Sequence, residues 1–228
     1  MSKRVFPPPC SSDGYEGRTL AAYRARAAEV VAEWRRLRPP SRFLRRFAQA
    51  LPPGSRVLDY GCGIGADLAW LHRQGFRVDG VEGVWEFTRQ ARRRCPGVTI
   101  QHARFEAVRL PAARYEGIWC HAALMHVPPE AFPRHLHHLQ QALTPCGVLG
   151  MTLAWGRTKA FTQQDWIPGR YLAGYTKPEV VAFFQEWAVA MLAVVSHDGR
   201  QGRWIHLLAS PRSGAARAST QRGRGVVE

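Results

Sequence analysis

The 228-residue chain is poor in lysine, in acidic side chains and in long apolar runs. Its longest fully apolar run, Trp187 to Val195, falls well short of the roughly 18 residues a transmembrane helix needs. The opening MSKRVFPPPCSSDGYEGR holds basic residues but no apolar stretch of a secretory signal, so a cytoplasmic protein without a membrane anchor is expected. The five cysteines are odd in number and include no CxxC pair, which argues against a disulfide framework and a zinc knuckle. Reduced thiols are the simple reading. Lysine appears only at 3, 159 and 177, so nearly all of the 32 basic residues are arginine; set against 17 acidic ones they give a net charge of +15. That balance suits an anionic partner such as nucleic acid. The charge is spread out and few aromatics interleave with it, however, so codon bias toward Arg and Ala explains it more simply.

What is present suits one globular domain with short appendages: 46% of residues are hydrophobic, enough for a core without staples. Residues 1–14 read as an irregular lead-in. Residues 15–50 read as a helical cap, with one helix from Tyr15 to about Arg38 and a second from the N-cap Ser41 to Ala50. Residues 51–210 then alternate strands with helices. Strands are expected at Arg56–Tyr60, Arg77–Val81, Val98–His102, Gly117–His121, Gly147–Leu153, Ala190–Val195 and Trp204–Ala209. Helices are expected at Ile64–Gln74, Trp85–Arg94, Glu130–Leu143 and Lys177–Glu186. This alternation predicts an α/β fold, a Rossmann-like doubly wound sheet of seven strands. The Asp198-Gly199 pair marks a hairpin, which makes the last strand antiparallel. Residues 211–228 are small, polar and basic and read as a disordered tail.

The strongest chemical signal is Val57-Leu58-Asp59-Tyr60-Gly61-Cys62-Gly63-Ile64-Gly65. A buried strand runs into a glycine-rich turn that opens a helix, where backbone N–H groups are free and a ligand can approach closely. Alone, this spacing also fits dinucleotide binders. Glu82 ends the next strand, where a carboxylate can accept hydrogen bonds from both ribose hydroxyls of an adenosine.

Taken together, these motifs resemble class I S-adenosylmethionine-dependent methyltransferases. VLDYGCGIGADLAWL resembles the first motif of that family, VDGVEGVWEF the second, YEGIWCHAALMHVP the fourth, and LQQALTPCGVLGMTL the helix, turn and fifth strand that follow. The C-terminal stretches GRYLAGYTKPEVVAFF and GRWIHLLAS are similar to a bacterial small-molecule subgroup. The resemblance implies S-adenosylmethionine as methyl donor and S-adenosylhomocysteine as product. It places Tyr15, Asp59, Gly61, Cys62, Gly63, Gly65, Glu82, Gly83, Phe105, Glu106 and Cys120 around the donor. Tyr23 and Trp34 belong to the segment that lids the donor pocket in such enzymes. Arg104 stands where the family commonly has an Asp for the adenine amino group, which leaves Glu106, or Phe105 with backbone, to hold adenine. Cys120-His121-Ala122-Ala123 departs from the pattern of amino-directed nucleic-acid methyltransferases.

His121 and His126 lie at the fourth-strand exit, where a general base would act if the acceptor must lose a proton. Arg170, Tyr171 and Tyr175 are candidate substrate-loop residues. His126, His135, His137 and His138 invite a metal reading, but no set of ligands is completed, and a solvated helix face is expected. The implied function is methyl transfer to O or N of a small-molecule acceptor. An RNA or protein methyltransferase, and a donor-binding protein without catalysis, are the alternatives.

Overall fold

A computed structural model describes residues 14–36, 40–196 and 202–212. The expected lead-in at 1–13, the Asp198-Gly199 turn and the tail from 213 onward lie outside the described residues.

The cap is α1 (Tyr15–Ala25), α2 (Ala27–Arg36) and α3 (Arg42–Gln49). The single helix expected from Tyr15 onward is thus broken at Arg26. No Gly or Pro marks the break; instead, the Arg26 guanidinium bonds the Trp166 carbonyl and Glu29. Ser41 caps α3 as its residue type predicts, accepting the Leu44 N–H at 3.0 Å. The core then runs β1 (Arg56–Tyr60), α4 (Ala66–Arg73), β2 (Arg77–Glu82), α5 (Trp85–Arg94), β3 (Thr99–His102), β4 (Tyr115–Cys120), a 3-10 turn (Leu124–His126), α6 (Phe132–Ala142), β5 (Leu143–Trp155), β6 (Lys159–Phe161), β7 (Tyr171–Tyr175), α7 (Lys177–Phe183), β8 (Trp187–Ser196) and β9 (Arg203–Pro211).

Strands β3-β2-β1-β4-β5 are parallel neighbours in that order. Val57, Leu58 and Tyr60 of β1 are buried, as continuous apolar strands covered on both faces require. Phe43, Phe47, Leu68, Leu71, Ala91 and Trp119 form the core on one face, beneath α3, α4 and α5. Ile118, Leu136, Leu139, Leu149, Val180 and Phe184 form it on the other, beneath α6 and α7. The sheet is therefore doubly wound. β9 runs antiparallel to both β5 and β8.

The seven expected strands are all present, with two more. β6 and β7 pair antiparallel, and β7 pairs parallel with Ala154 and Trp155 of β5. Because β9 already occupies the other edge of Ala154, β7 joins the edge that β4 leaves after Cys120. The hairpin therefore stands over the carboxyl end of β4, where ligands of such sheets collect. At the C-terminus, Pro211 ends β9 and the Arg212 guanidinium donates to the Trp187 carbonyl at 3.1 Å. The expected tail thus begins two residues too early at 211.

Candidate active site

The glycine turn lies where β1 exits the sheet. Gly61, Gly63 and Gly65 have φ of +85°, +53° and +73°, a region that side-chain-bearing residues rarely adopt. A Cβ at Gly61 would lie 2.6 Å from the Ala123 Cβ, and one at Gly63 3.0 Å from the Trp34 ring. The turn is thus closely overlaid by the β4 exit and by α2.

Glu82 is buried at the end of β2. Its Oε2 accepts the Gly63 N–H at 2.8 Å and its Oε1 the Val84 N–H at 2.7 Å. Burial pushes its carboxyl up to about 7, against the opposing pull of these backbone bonds. Asp59 is also buried, and among the described residues its Oδ2 has no hydrogen-bond partner. Burial holds its carboxyl well above the usual range, and the nearby Asp67 and Glu82 charges add to the effect.

Beside Gly83 opens a cleft of about 600 Å³. One wall is Gly17, Leu20 and Arg24 of α1; the other is His102, Ala103 and Arg104 after β3. Phe105 stacks on Tyr60 with ring centroids 4.4 Å apart. Glu106, in contrast, turns away from this cleft. Its Oε1 accepts from the Tyr15 hydroxyl at 3.1 Å and from Arg134 at 3.3 Å. Tyr15 is likewise committed to Glu106, and its oxygen lies 3.4 Å from His135 Nε2. Of the cap aromatics, Trp34 covers the glycine turn instead, packed 5.0 Å from Phe87, with Tyr23 5.9 Å from the same ring.

Glu16 escaped the sequence reading. It is buried, and its carboxylate accepts the Phe105 N–H at 2.6 Å, pinning α1 to the loop after β3. Its only sequence trace is an acidic residue in the first turn of a helix, which ordinarily serves the helix dipole.

At the β4 exit, Ala122 has φ +52°, and its N–H donates to Thr152 Oγ1 at 2.8 Å. A non-glycine residue held there stores strain of the kind found at functional sites. Burial pushes the neighbouring Cys120 thiol up to about 12, so it stays protonated.

The two candidate bases differ. His126 is locked on both nitrogens: Nδ1 donates to the Tyr171 carbonyl at 2.7 Å and Nε2 accepts from the Tyr23 hydroxyl at 2.9 Å. Burial, reinforced by the Arg170 charge, lowers it to about 4. Both ring nitrogens of His126 thus tie the turn after β4 to α1 and to β7. His121 has Nδ1 3.0 Å from Asp67 Oδ2, its side chain is 37% exposed, and among the described residues its Nε2 has no partner.

Arg170, Tyr171 and Tyr175 do not form an acceptor loop. Arg170 is buried and bonds Asp165 at 2.6 Å and the Tyr23 hydroxyl at 2.9 Å. The Tyr171 N–H donates to Thr19 Oγ1 at 2.9 Å, and the buried Tyr175 hydroxyl donates to the Val127 carbonyl at 3.1 Å. They belong to strand β7 and its approach, and Arg170 and Tyr171 latch the β6–β7 hairpin to α1. Arg18 completes the latch, 3.6 Å over the Phe161 ring.

His135 is buried rather than solvated, and burial lowers it to about 3. Among the described residues no three His, Cys, Asp or Glu side chains are gathered to hold a metal ion, and no helix is long and apolar enough to cross a membrane.

A family described as a methyltransferase domain matches residues 57–147, the span from β1 into β5. A thiopurine S-methyltransferase of Pseudomonas entomophila (strain L48) is 37% identical over 124 residues, 45% of this chain and 56% of that protein. An S-adenosyl-L-methionine-dependent Diels-Alderase of Talaromyces variabilis is 32% identical over 102 residues, 39% of this chain and 35% of that protein. The chain thus spans only about a third to a half of the length of these two curated relatives. Among solved structures, the 1,6-didemethyltoxoflavin-N1-methyltransferase of Burkholderia thailandensis, with 1,6-didemethyltoxoflavin and S-adenosylhomocysteine bound, superposes with a TM-score of 0.70. It covers 92% of this chain and 94% of that one at 18% identity, a likeness of fold.

Proposed function

We propose that this chain, which carries a class I S-adenosylmethionine-dependent methyltransferase domain, binds S-adenosylmethionine at the glycine turn and transfers its methyl group to O or N of a small-molecule acceptor. The observation that carries the reading is the hydrogen bond that pairs the Gly61–Gly65 turn with the buried Glu82 carboxylate, whose chain neighbour Gly83 lines a cleft.

The residues fit the donor on three counts. Gly61, Gly63 and Gly65 hold the positive φ of a tight turn that opens α4, with Ala123 and the Trp34 ring packed where a Cβ of Gly61 or Gly63 would stand. Asp59 Oδ2 is a buried oxygen lacking a hydrogen-bond donor, matched by the amino group of a bound amino acid. Each Glu82 oxygen already accepts one N–H and retains lone-pair capacity for a ribose hydroxyl. The donor, when bound, supplies a methyl group made electrophilic by the sulfonium charge. The chain's own task is then alignment and exclusion of water. Tyr23, Trp34 and Phe87 form the aromatic cover, and the bonds from Thr19, Tyr23 and Arg26 tie α1 to the hairpin standing over the β4 exit.

The relatives support a small-molecule acceptor, since one is named a thiopurine S-methyltransferase and a fold neighbour a 1,6-didemethyltoxoflavin-N1-methyltransferase. A second reading, donor binding without methyl transfer, is favoured by the Diels-Alderase relative. The test is calorimetric titration with S-adenosylhomocysteine, followed by a methyl-transfer assay over phenols, amines, thiols and heteroaromatic bases. Donor binding with turnover of a small molecule supports the first reading. Binding without turnover on the whole panel supports the second.

A further inference from the structure

The carboxylate of Asp67 gathers two donors at one oxygen: Trp119 Nε1–H at 2.9 Å and His121 Nδ1 at 3.0 Å. Burial opposes ionisation of Asp67, yet the hydrogen bonds from His121 and Trp119 hold its carboxyl below the usual range. An ionised Asp67 accepts only, so Nδ1 of a neutral His121 must carry the proton. The lone pair of the ring is then on Nε2, at the partly exposed end of the side chain. The indole bond matters too. Trp119 is wholly buried against Phe43 and Phe47, with ring centroids 5.1 and 5.2 Å away, and so fixes where the carboxylate can stand.

The place of this pair follows from sheet register. Asp59 of β1 is directly opposite Trp119 of β4. Two residues further on, the chains reach Gly61 and His121, at the same end of adjacent strands. Asp67 is in the first turn of α4, the helix that the glycine turn opens. The dyad and the donor cradle are therefore built from the same two strand exits, and the strained Ala122 follows His121 directly.

We propose that Asp67 and His121 form a proton-accepting dyad for the acceptor, with His121 as the base and Asp67 as its positioning residue. This rests on the methyl-transfer reading above and narrows its acceptor class to a protic nucleophile: a hydroxyl or an N–H whose proton must leave. The acceptor's X–H bond breaks and its proton passes to His121 Nε2. The electron pair left on the heteroatom bonds to the methyl carbon as the bond from that carbon to sulfur breaks, sulfur keeping the pair. The imidazolium formed is stabilised by Asp67 and, being partly exposed, returns its proton to solvent. A tertiary amine, with no proton to lose, has no use for the dyad.

The experiment uses the full chain labelled with ¹⁵N-histidine at pH 8. Imidazole resonances are recorded free and with saturating S-adenosylhomocysteine, whose binding is followed in parallel by calorimetry. The expected result is a neutral His121 with the proton on Nδ1, whose resonances move when S-adenosylhomocysteine binds, while those of His72 at the far end of α4 do not. Asp67→Asn should mix the two tautomers. With any protic acceptor that the assay identifies, His121→Gln should lower kcat by about 10²- to 10⁴-fold, the usual range for a lost general base. A His121 proton found on Nε2, or His121 resonances unmoved by bound S-adenosylhomocysteine, overturns the dyad while leaving donor binding intact. An S-adenosylhomocysteine titration without heat overturns the methyl-transfer reading itself, and the dyad's role with it.

Discussion

The hydroxyl of Tyr23 lies 2.9 Å from Nε2 of His126 and 2.9 Å from a guanidinium nitrogen of Arg170. One oxygen thereby links α1, the turn after β4 and the approach to β7. It accepts from the buried Arg170 and donates to the half-buried His126. Tyr23→Phe removes the oxygen and leaves two polar groups unsatisfied, at a cost of about 1–3 kcal/mol. For a chain of this size each kcal/mol moves the melting temperature by about 2–4 °C. Thermal unfolding of Tyr23→Phe beside the wild type measures the difference. An unchanged midpoint means that the cap is not latched through this oxygen.

The pH dependence of donor binding follows from Glu82. Burial raises its folded-state value from 4.5 to about 7, so in the free protein the carboxyl is protonated below that pH. Ribose hydroxyls donate to the charged form, so the bound state favours deprotonation. S-adenosylhomocysteine affinity should then be flat above pH 7 and fall as pH drops below it, by up to about tenfold per unit. Glu82→Gln should abolish this dependence and weaken binding by about 2–3 kcal/mol, roughly 30- to 150-fold. A 2′,3′-dideoxy analogue should be much less sensitive to the substitution. Calorimetry from pH 5.5 to 8.5 on both proteins checks all three expectations.

Gly63 sits at φ +53°, with the Trp34 ring 3.0 Å from where a Cβ would stand. Gly63→Val therefore imposes both backbone strain and displacement of the aromatic cover. S-adenosylhomocysteine affinity should fall at least tenfold while circular dichroism shows a folded chain. Unchanged affinity removes the glycine turn from the donor site.

The C-terminal boundary gives a further test. Arg212 donates its backbone N–H to the Glu186 carbonyl at 3.3 Å and its guanidinium to the Trp187 carbonyl. Truncation after Ser210 should lower the melting temperature by several degrees relative to truncation after Arg212, because it also removes the Trp187–Pro211 pairing. Equal midpoints mean that these last contacts add nothing.

Much of the frame was legible because it rests on local signals. Apolar strands, helical periodicity and the glycine turn each reside in one short window, and Ser41 announces its own cap. Longer-range partnerships were not. Glu16 and Asp67 drew no notice in the sequence, since nothing near them shows that Phe105, Trp119 and His121 meet their oxygens. His126 read as a base because its partners, Tyr23 and Tyr171, are far away in the chain. The β6–β7 hairpin was missed because β6 is three residues long and pairs only through its neighbour. At β5, Leu143 read as the end of a helix and Thr144–Cys146 as a turn, but β4 recruits Leu143 across an irregular register and carries the strand back to the end of α6.

The central claim is that the glycine turn, with Glu82, is a donor site. Isothermal titration of the full wild-type chain with S-adenosylhomocysteine at pH 8 tests it most directly. The account predicts saturable binding of one molecule per chain, strongly weakened in Glu82→Gln. No detectable binding at about 1 mM, an affinity weaker than about −4 kcal/mol, contradicts it.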